Sequence, residues 1–177
     1  MLYQWRTDLS SVPFWAASKR PLTFGEFKQE LQAMAVGNML LMFEARATGE
    51  PVGFGQVAQI DTQHGHASIL FFISRSFRKR GRYPVDAFLL LERYLFEYFP
   101  FRKLYADVLE YNRDSWSSIL KLGWKLEGRL REHTWFRDRY WDSLRLSIGR
   151  TDWEARAPAW QRRLTQRPVI ERQEGTI

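Results

Sequence analysis

Arg78-Lys79-Arg80-Gly81-Arg82-Tyr83-Pro84 is the stretch that decides how this chain folds. It follows an apolar run from His66 to Ile73 and leads into a long apolar-faced segment from Val85 to Phe99. That order reads as a strand, a basic glycine turn and the start of a helix. Unpaired N–H groups in a first helical turn, together with the positive end of the helix dipole, attract anions. Pro84 suits the first helical position, where its missing N–H costs nothing. Arg75, Arg78, Lys79, Arg80 and Arg82 add cations suited to a phosphate-bearing ligand. The competing reading is a solvated basic turn.

Toward the N-terminus, Thr23-Phe24-Gly25-Glu26 has capping-box spacing, and Phe27, Leu31 and Met34 recur at helical spacing, so Thr23 to about Ala35 is expected as an amphipathic helix. Met39 to Ala45 and Val52 to Ile60 alternate in part around Thr48-Gly49-Glu50, a hairpin signal. Asp61 to Gly65 then turns into a strand from Ala67 to Ile73, completing an antiparallel meander. Toward the C-terminus the helix stops near Pro100 and Leu104 to Leu109 alternates as a strand. Strand, helix, strand implies a parallel pair joined by a right-handed crossover. Asn112 opens a short helix carrying Trp116, Ile119 and Leu120 that ends at Gly123, and strands at Lys125 to Phe136 and Tyr140 to Ile148 flank Arg137-Asp138-Arg139. Residues 157–177 are rich in Arg, Gln and Pro and read as a peripheral, partly mobile extension to a domain of residues 1–156.

The chain has 177 residues with 45% hydrophobic content, enough for one domain with a sizeable core. No apolar run approaches the ~20 residues that span a bilayer, and the N-terminus lacks the layout of a secretion signal. With Cys 0 there is no disulfide framework, thiolate metal site or cysteine nucleophile, and a cytoplasmic location is the simplest expectation. His64 and His66, without cysteine or a nearby carboxylate pair, do not argue for zinc, and no metal is expected. A net charge of +7 favours polyanionic partners without naming one.

The order of elements, the Arg-x-x-Gly-x turn at Arg78 to Arg82, Asn112-x-x-Ser115, Lys121-Leu122-Gly123-Trp124-Lys125-Leu126-Glu127-Gly128, and Leu130-Arg131-Glu132 with Tyr140-Trp141-Asp142 together resemble the GNAT superfamily of acetyl-CoA-dependent N-acetyltransferases. They are most similar to its ribosomal-protein N-terminal acetyltransferase branch, from about Phe24 to Trp153. The resemblance implies an α/β (α+β) GNAT fold: a mostly antiparallel mixed sheet of about six to seven strands, a parallel pair at the cofactor cleft and about four flanking helices. It places acetyl-CoA as co-substrate, its thioester and pantetheine arm on the backbone of Phe71, Phe72 and Ile73, and its pyrophosphate in the turn formed by Arg78, Lys79, Arg80, Gly81, Arg82 and Tyr83. Departures are Tyr83 where the family has Gly or Ala, Arg139 where the closing hairpin has Gly, Ile119 where many members carry a tyrosine acid, and Thr134 where the branch has a Glu base.

Acetyl transfer to an amine needs a proton acceptor, carbonyl stabilisation and protonation of the leaving thiolate, and no covalent enzyme intermediate. Ser115 occupies the branch's proton-donor position; it also stands where it can cap its own helix. Asn112 can bond the cofactor or cap that helix. Strand alternation puts Glu132 on the face of Thr134, making Glu132 the first choice of base, directly or through water, and His133 the second. Ordinary surface roles compete with both. Trp116, Trp124, Trp135 and Trp141 either line an acceptor groove or pack the sheet.

The first reading is therefore an acyltransferase acting on a protein N-terminus, amino sugar or other small amine. The basic charge argues against a polycationic acceptor and for a ribosome-associated or nucleotide-linked one, with a homodimer as a further expected partner state and no membrane. The alternatives are an RNA- or DNA-binding module using the Arg75 to Arg82 stripe, and a degenerate CoA-binding GNAT domain.

Overall fold

The computed structural model describes residues 1–8 and 20–165. Twelve elements follow in order: α1 (Leu2–Thr7), α2 (Phe24–Ala35), β1 (Met39–Glu44), β2 (Pro51–Asp61), β3 (His66–Ile73), α3 (Arg75–Arg78), α4 (Tyr83–Tyr98), β4 (Lys103–Leu109), α5 (Arg113–Lys121), β5 (Lys125–Phe136), β6 (Arg139–Gly149) and α6 (Arg150–Thr165). The capping box at α2 forms as the spacing requires: Thr23 accepts from the Glu26 N–H at 3.3 Å and its own N–H donates to the Glu26 carboxylate at 2.8 Å. This pins a helix whose Phe27 is buried.

The six strands form one sheet in the order β1-β2-β3-β4-β6-β5, antiparallel except where β3 runs alongside β4. Strand alternation sends Val57, Ala67 and Ile69 to one face, where Phe88, Leu91 and Leu95 of α4 cover them. Gly55 permits this approach: a Cβ there would lie 3.1 Å from the Phe43 ring and 3.2 Å from Leu91. Phe54 and Phe72 point to the other face and pack with Leu2, Tyr3 and Trp5 of α1, Phe27 of α2 and Leu22 just before it.

Helix α6 closes the α4 side. Trp153 stacks on Phe96 with ring centroids 5.1 Å apart. Arg150 donates to the carbonyls of Phe96, Phe99 and Phe101 at 2.7, 2.7 and 2.8 Å. It thus occupies the C-terminal end of α4, where helical carbonyls lack partners and a cation complements the dipole.

Several elements differ from the sequence-based expectation. Six helices form among the described residues, where the sequence led to about four flanking the sheet. The turn at Arg75–Arg78 is helical, and α4 starts at Tyr83, placing Pro84 at its second position. The stretch from residue 157 opens inside α6: Ala157 is buried, and helix continues to Thr165. Its core contribution rests on few apolar residues, so its composition resembles that of a surface segment. The expected mobility of the chain end concerns residues 166–177, which lie outside the described residues.

Candidate active site

Strands β3 and β4 pair over only three positions, His66↔Lys103, Ala67↔Leu104 and Ser68↔Tyr105. Beyond them the strands part. The Ser74 N–H donates to the Val52 carbonyl at 2.9 Å, so alternation turns the backbone N–H and C=O of Phe71 and Ile73 away from β2, toward the gap. The wedge opens into a cavity of about 350 Å³. Its walls are Phe71, Phe72 and Ile73 of β3, Val85 and Phe88 of α4, and Ile119 and Leu122 at the end of α5. Arg78 and Lys79 stand at one end, and Asn112, Asp114, Ser115 and Ser118 along the start of α5. An apolar channel with backbone hydrogen-bonding groups on one wall and cations at one end suits a long, slender molecule with an anionic end.

The five cations around the basic turn divide rather than form one stripe. Arg78 donates from Nε to the Ile73 carbonyl at 3.0 Å and lies over the Phe72 ring; burial lowers its pKa from the ordinary guanidinium value. Arg80 points back toward Glu50 at 3.6 Å and over the Phe77 ring. Arg82 faces Asp86 at 3.9 Å. Gly81 has φ +60° and nothing within 4 Å of the position its Cβ would take, so its backbone conformation, not crowding, calls for glycine. Tyr83 turns its ring onto Phe77 in an edge-to-face contact at 5.0 Å and joins the small cluster of Ala45, Val52, Ile73 and Phe77. Its bulk is therefore absorbed by packing. Arg80, Gly81, Arg82 and Tyr83 are not among the residues lining the cavity.

Asn112 begins α5 without a side-chain cap bond, the Ser115 N–H donating instead to its carbonyl at 3.1 Å. The capping role expected for its side chain is thus not taken. Glu132 and His133 are exposed on β5, the edge strand, and do not line the cavity. The alternation that linked Glu132 to Thr134 fails for a definite reason. Between the pairs Leu130↔Ser143 and Thr134↔Trp141, β5 carries extra residues in a bulge, and Glu132 has φ +50°. The Glu132 N–H donates to the Asp142 carboxylate at 2.8 Å, and Asp142 also pairs with Arg129; the backbone bond first, and Arg129 next, hold its pKa below the usual carboxylate range. Asp114, a carboxylate that does line the cavity, was missed; its only sequence signal was its place between Asn112 and Ser115.

None of the four tryptophans singled out lines the cavity. Trp124 is buried and donates to Glu92 at 2.5 Å, and Trp116 donates to the Glu110 carbonyl at 3.0 Å. Trp141 packs edge-on to Tyr111, while Trp135 is 56% exposed at the hairpin tip. Glu92 is fully buried and also accepts from Arg156 at 2.7 Å; burial pushes its carboxyl pKa up. This polar cluster was not foreseen. It ties α4 to the α5–β5 junction and to α6, directly behind the cavity wall at Phe88, whose ring lies 5.6 Å from Trp124.

The model for the acetyltransferase (GNAT) domain matches residues 1–125. The chain belongs to the GNAT acetyltransferase family. The GNAT fold found here is shared with solved structures. The spermidine N-acetyltransferase of Vibrio cholerae, in complex with CoA and spermine, superposes with a TM-score of 0.75 at 18% identity, over 86% of this chain and 90% of its own. A GCN5-related N-acetyltransferase from Brucella melitensis gives 0.76 at 20% identity, over 93% and 76%. No curated protein sequence matches significantly. As a GNAT protein the chain is an acyltransferase. No helix among the described residues is long and apolar enough to cross a membrane, and none of their His, Cys, Asp and Glu side chains group in threes as metal ligands would.

Proposed function

We propose that this GNAT protein transfers an acetyl group from acetyl-CoA to a primary amine by direct attack in a ternary complex. The observation that supports this best is the short β3–β4 pairing, which opens a channel with hydrogen-bonding backbone on one side and Arg78 and Lys79 at one end. Acetyl-CoA supplies the activated thioester; the chain supplies position and proton handling. The backbone groups of Phe71 and Ile73 bond the pantetheine arm and polarise the carbonyl. Lys79, Arg78 and the first N–H groups of α4 receive the diphosphate, with Gly81 setting the turn. Asn112 orients the cofactor, and Ser115 gives its hydroxyl proton to the departing thiolate.

For the amine's proton, Glu132 acts through water, because its exposed carboxylate stands off the cavity lining; His133 and Asp114 are the competitors. The matched Asn112-x-x-Ser115 and Lys121-x-Gly123-Trp124 spacings support a protein N-terminus as acceptor. The +7 charge supports an acceptor unlike the polyamines of the Vibrio enzyme, since like charges repel.

The test is calorimetric titration with acetyl-CoA, followed by thiol release against a panel of amines. Micromolar binding with turnover is expected. Binding without turnover on any amine would favour the degenerate reading. Gly81→Val sets a β-branched residue at φ +60°, which strains the turn itself, so lost affinity with retained helix content would report on the turn's conformation. Unchanged affinity would refute the placement of the diphosphate.

A further inference from the structure

The β5–β6 hairpin carries Trp135-Phe136-Arg137-Asp138-Arg139-Tyr140-Trp141 at its tip. Because β6 pairs with β4 only from Ser143 onward, where Leu109 ends β4, this tip projects beyond the sheet at the end where the cavity opens. Its two sides differ. Phe136 and Trp141 turn inward onto Tyr111, at 4.9 and 5.2 Å, and fix the hairpin to the chain just before Asn112. Trp135 and Tyr140 oppose each other across the strands and touch edge-to-face at 5.0 Å. They are 56% and 59% exposed.

Cations surround this pair. Arg137 lies over the Phe136 ring at 5.2 Å and Arg139 over the Trp141 ring at 3.4 Å, so the ring stacking holds both guanidinium groups at the tip. Among the described residues neither they nor Arg131 meet a carboxylate within 4 Å. Arg129, by contrast, is consumed by Glu110 and Asp142. Arg131 lies within Coulombic reach of Asp142 and helps to lower its pKa, whereas Arg137 and Arg139 remain available to an outside anion.

We propose that the hairpin tip is a docking platform for single-stranded RNA, with bases stacked on Trp135 and Tyr140 and phosphates held by Arg137 and Arg139. Flat exposed aromatic faces beside cations match a base and a phosphate together, whereas an acidic peptide would use the cations and leave the rings idle. The dispersed cations of the Arg75 to Arg82 segment offer no equivalent surface. The platform's use rests on the acetyl-transfer reading: RNA held there would bring a ribonucleoprotein's amine to the cleft mouth. RNA binding itself does not depend on it.

The test is fluorescence anisotropy with a labelled single-stranded RNA 12-mer, made with saturating CoA so that the cofactor cleft cannot be what holds the RNA. CoA binding is measured separately by calorimetry, so that loss of that site and loss of the platform are told apart. Trp135→Ala with Tyr140→Ala should weaken RNA binding at least about fivefold, the low end for a stacked base. Arg137→Ala with Arg139→Ala should reduce the slope of log K against log salt by about 1.4. Both pairs are exposed, and circular dichroism with a CoA titration confirms that each variant is folded. RNA affinity unchanged in both variants, or a poly-glutamate peptide binding as tightly as RNA with no dependence on Trp135 and Tyr140, would overturn the proposal.

Discussion

Replacing Arg156 by Met tests whether the core depends on the buried Glu92–Arg156 ion pair. Glu92 is fully buried, and its carboxylate has two donors, Trp124 at 2.5 Å and Arg156 at 2.7 Å. Met fills much the same volume, so the loss is mainly of charge compensation. Removing one partner of a buried pair costs about 3–5 kcal/mol. Here the lower end applies, because Trp124 still donates and a carboxyl already pushed up by burial accepts a proton readily. A deficit of about 3 kcal/mol corresponds to about 6–12 °C in Tm for a chain of this size. The deficit has a pH signature. In the variant the folded state binds a proton at Glu92 more readily than the unfolded state does, so its stability recovers as pH falls and the gap to the parent narrows. Glu92→Leu combined with Arg156→Met should restore only part of the loss, since the apolar pair needs no charge compensation but the buried Trp124 N–H is left without its acceptor. Urea denaturation followed by circular dichroism at pH 7 and pH 5 measures Arg156→Met, Glu92→Leu and the double variant. A single-variant loss below about 1 kcal/mol, or a double variant as unstable as the two singles summed, would refute the reasoning.

Other perturbations probe the remaining parts. Gly55→Ala sets a methyl 3.1 Å from Phe43 and 3.2 Å from Leu91, so both side chains must give by a few tenths of an ångström and thermal denaturation should show a loss of about 1 kcal/mol. Glu26 has its pKa lowered to about 2, first by the Thr23 N–H and then by Arg20, so its contribution is present above the ordinary carboxylate pKa and lost as pH falls toward 2. Glu26→Gln should therefore be less stable than the parent at pH 7 and indistinguishable from it near pH 2. Ser115→Ala should lower kcat about a hundredfold with little change in acetyl-CoA affinity, and lost affinity with kcat unchanged would assign Ser115 to binding alone. Glu132→Gln should lower kcat with little change in acetyl-CoA affinity, whereas the same loss in Asp114→Asn alone would move the base to α5.

Much of the architecture was legible because local signals agreed with the tertiary demand. The Thr23–Glu26 box, the Thr48-Gly49-Glu50 turn and the alternation around Leu104 each have a single satisfactory solution. Helix α1 left no such mark: its six residues are held by ring contacts of Tyr3 and Trp5 with Phe27 and Phe72, which are remote in sequence. Helix α6 was hidden by composition, since Trp153 and Ala157 carry its core contact while Arg150 anchors it to carbonyls some fifty residues away. At the site, Phe71 to Ile73, Arg78, Lys79, Asn112 and Ser115 meet at one cavity because the strand and two helix starts converge there. Arg80, Arg82 and Tyr83 could not be placed from the motif, which does not say that Glu50, Asp86 and Phe77 stand beside them. The parity argument for Glu132 does not hold, because a bulge leaves no period to read.

Hydrogen exchange with and without acetyl-CoA tests the central claim most directly. Occupation of the wedge should slow the amides of Phe71 and Ile73 and those from Lys79 to Val85, and leave the β1–β2 hairpin unchanged. Protection confined to other strands, or no slowing anywhere at saturating acetyl-CoA, would contradict it.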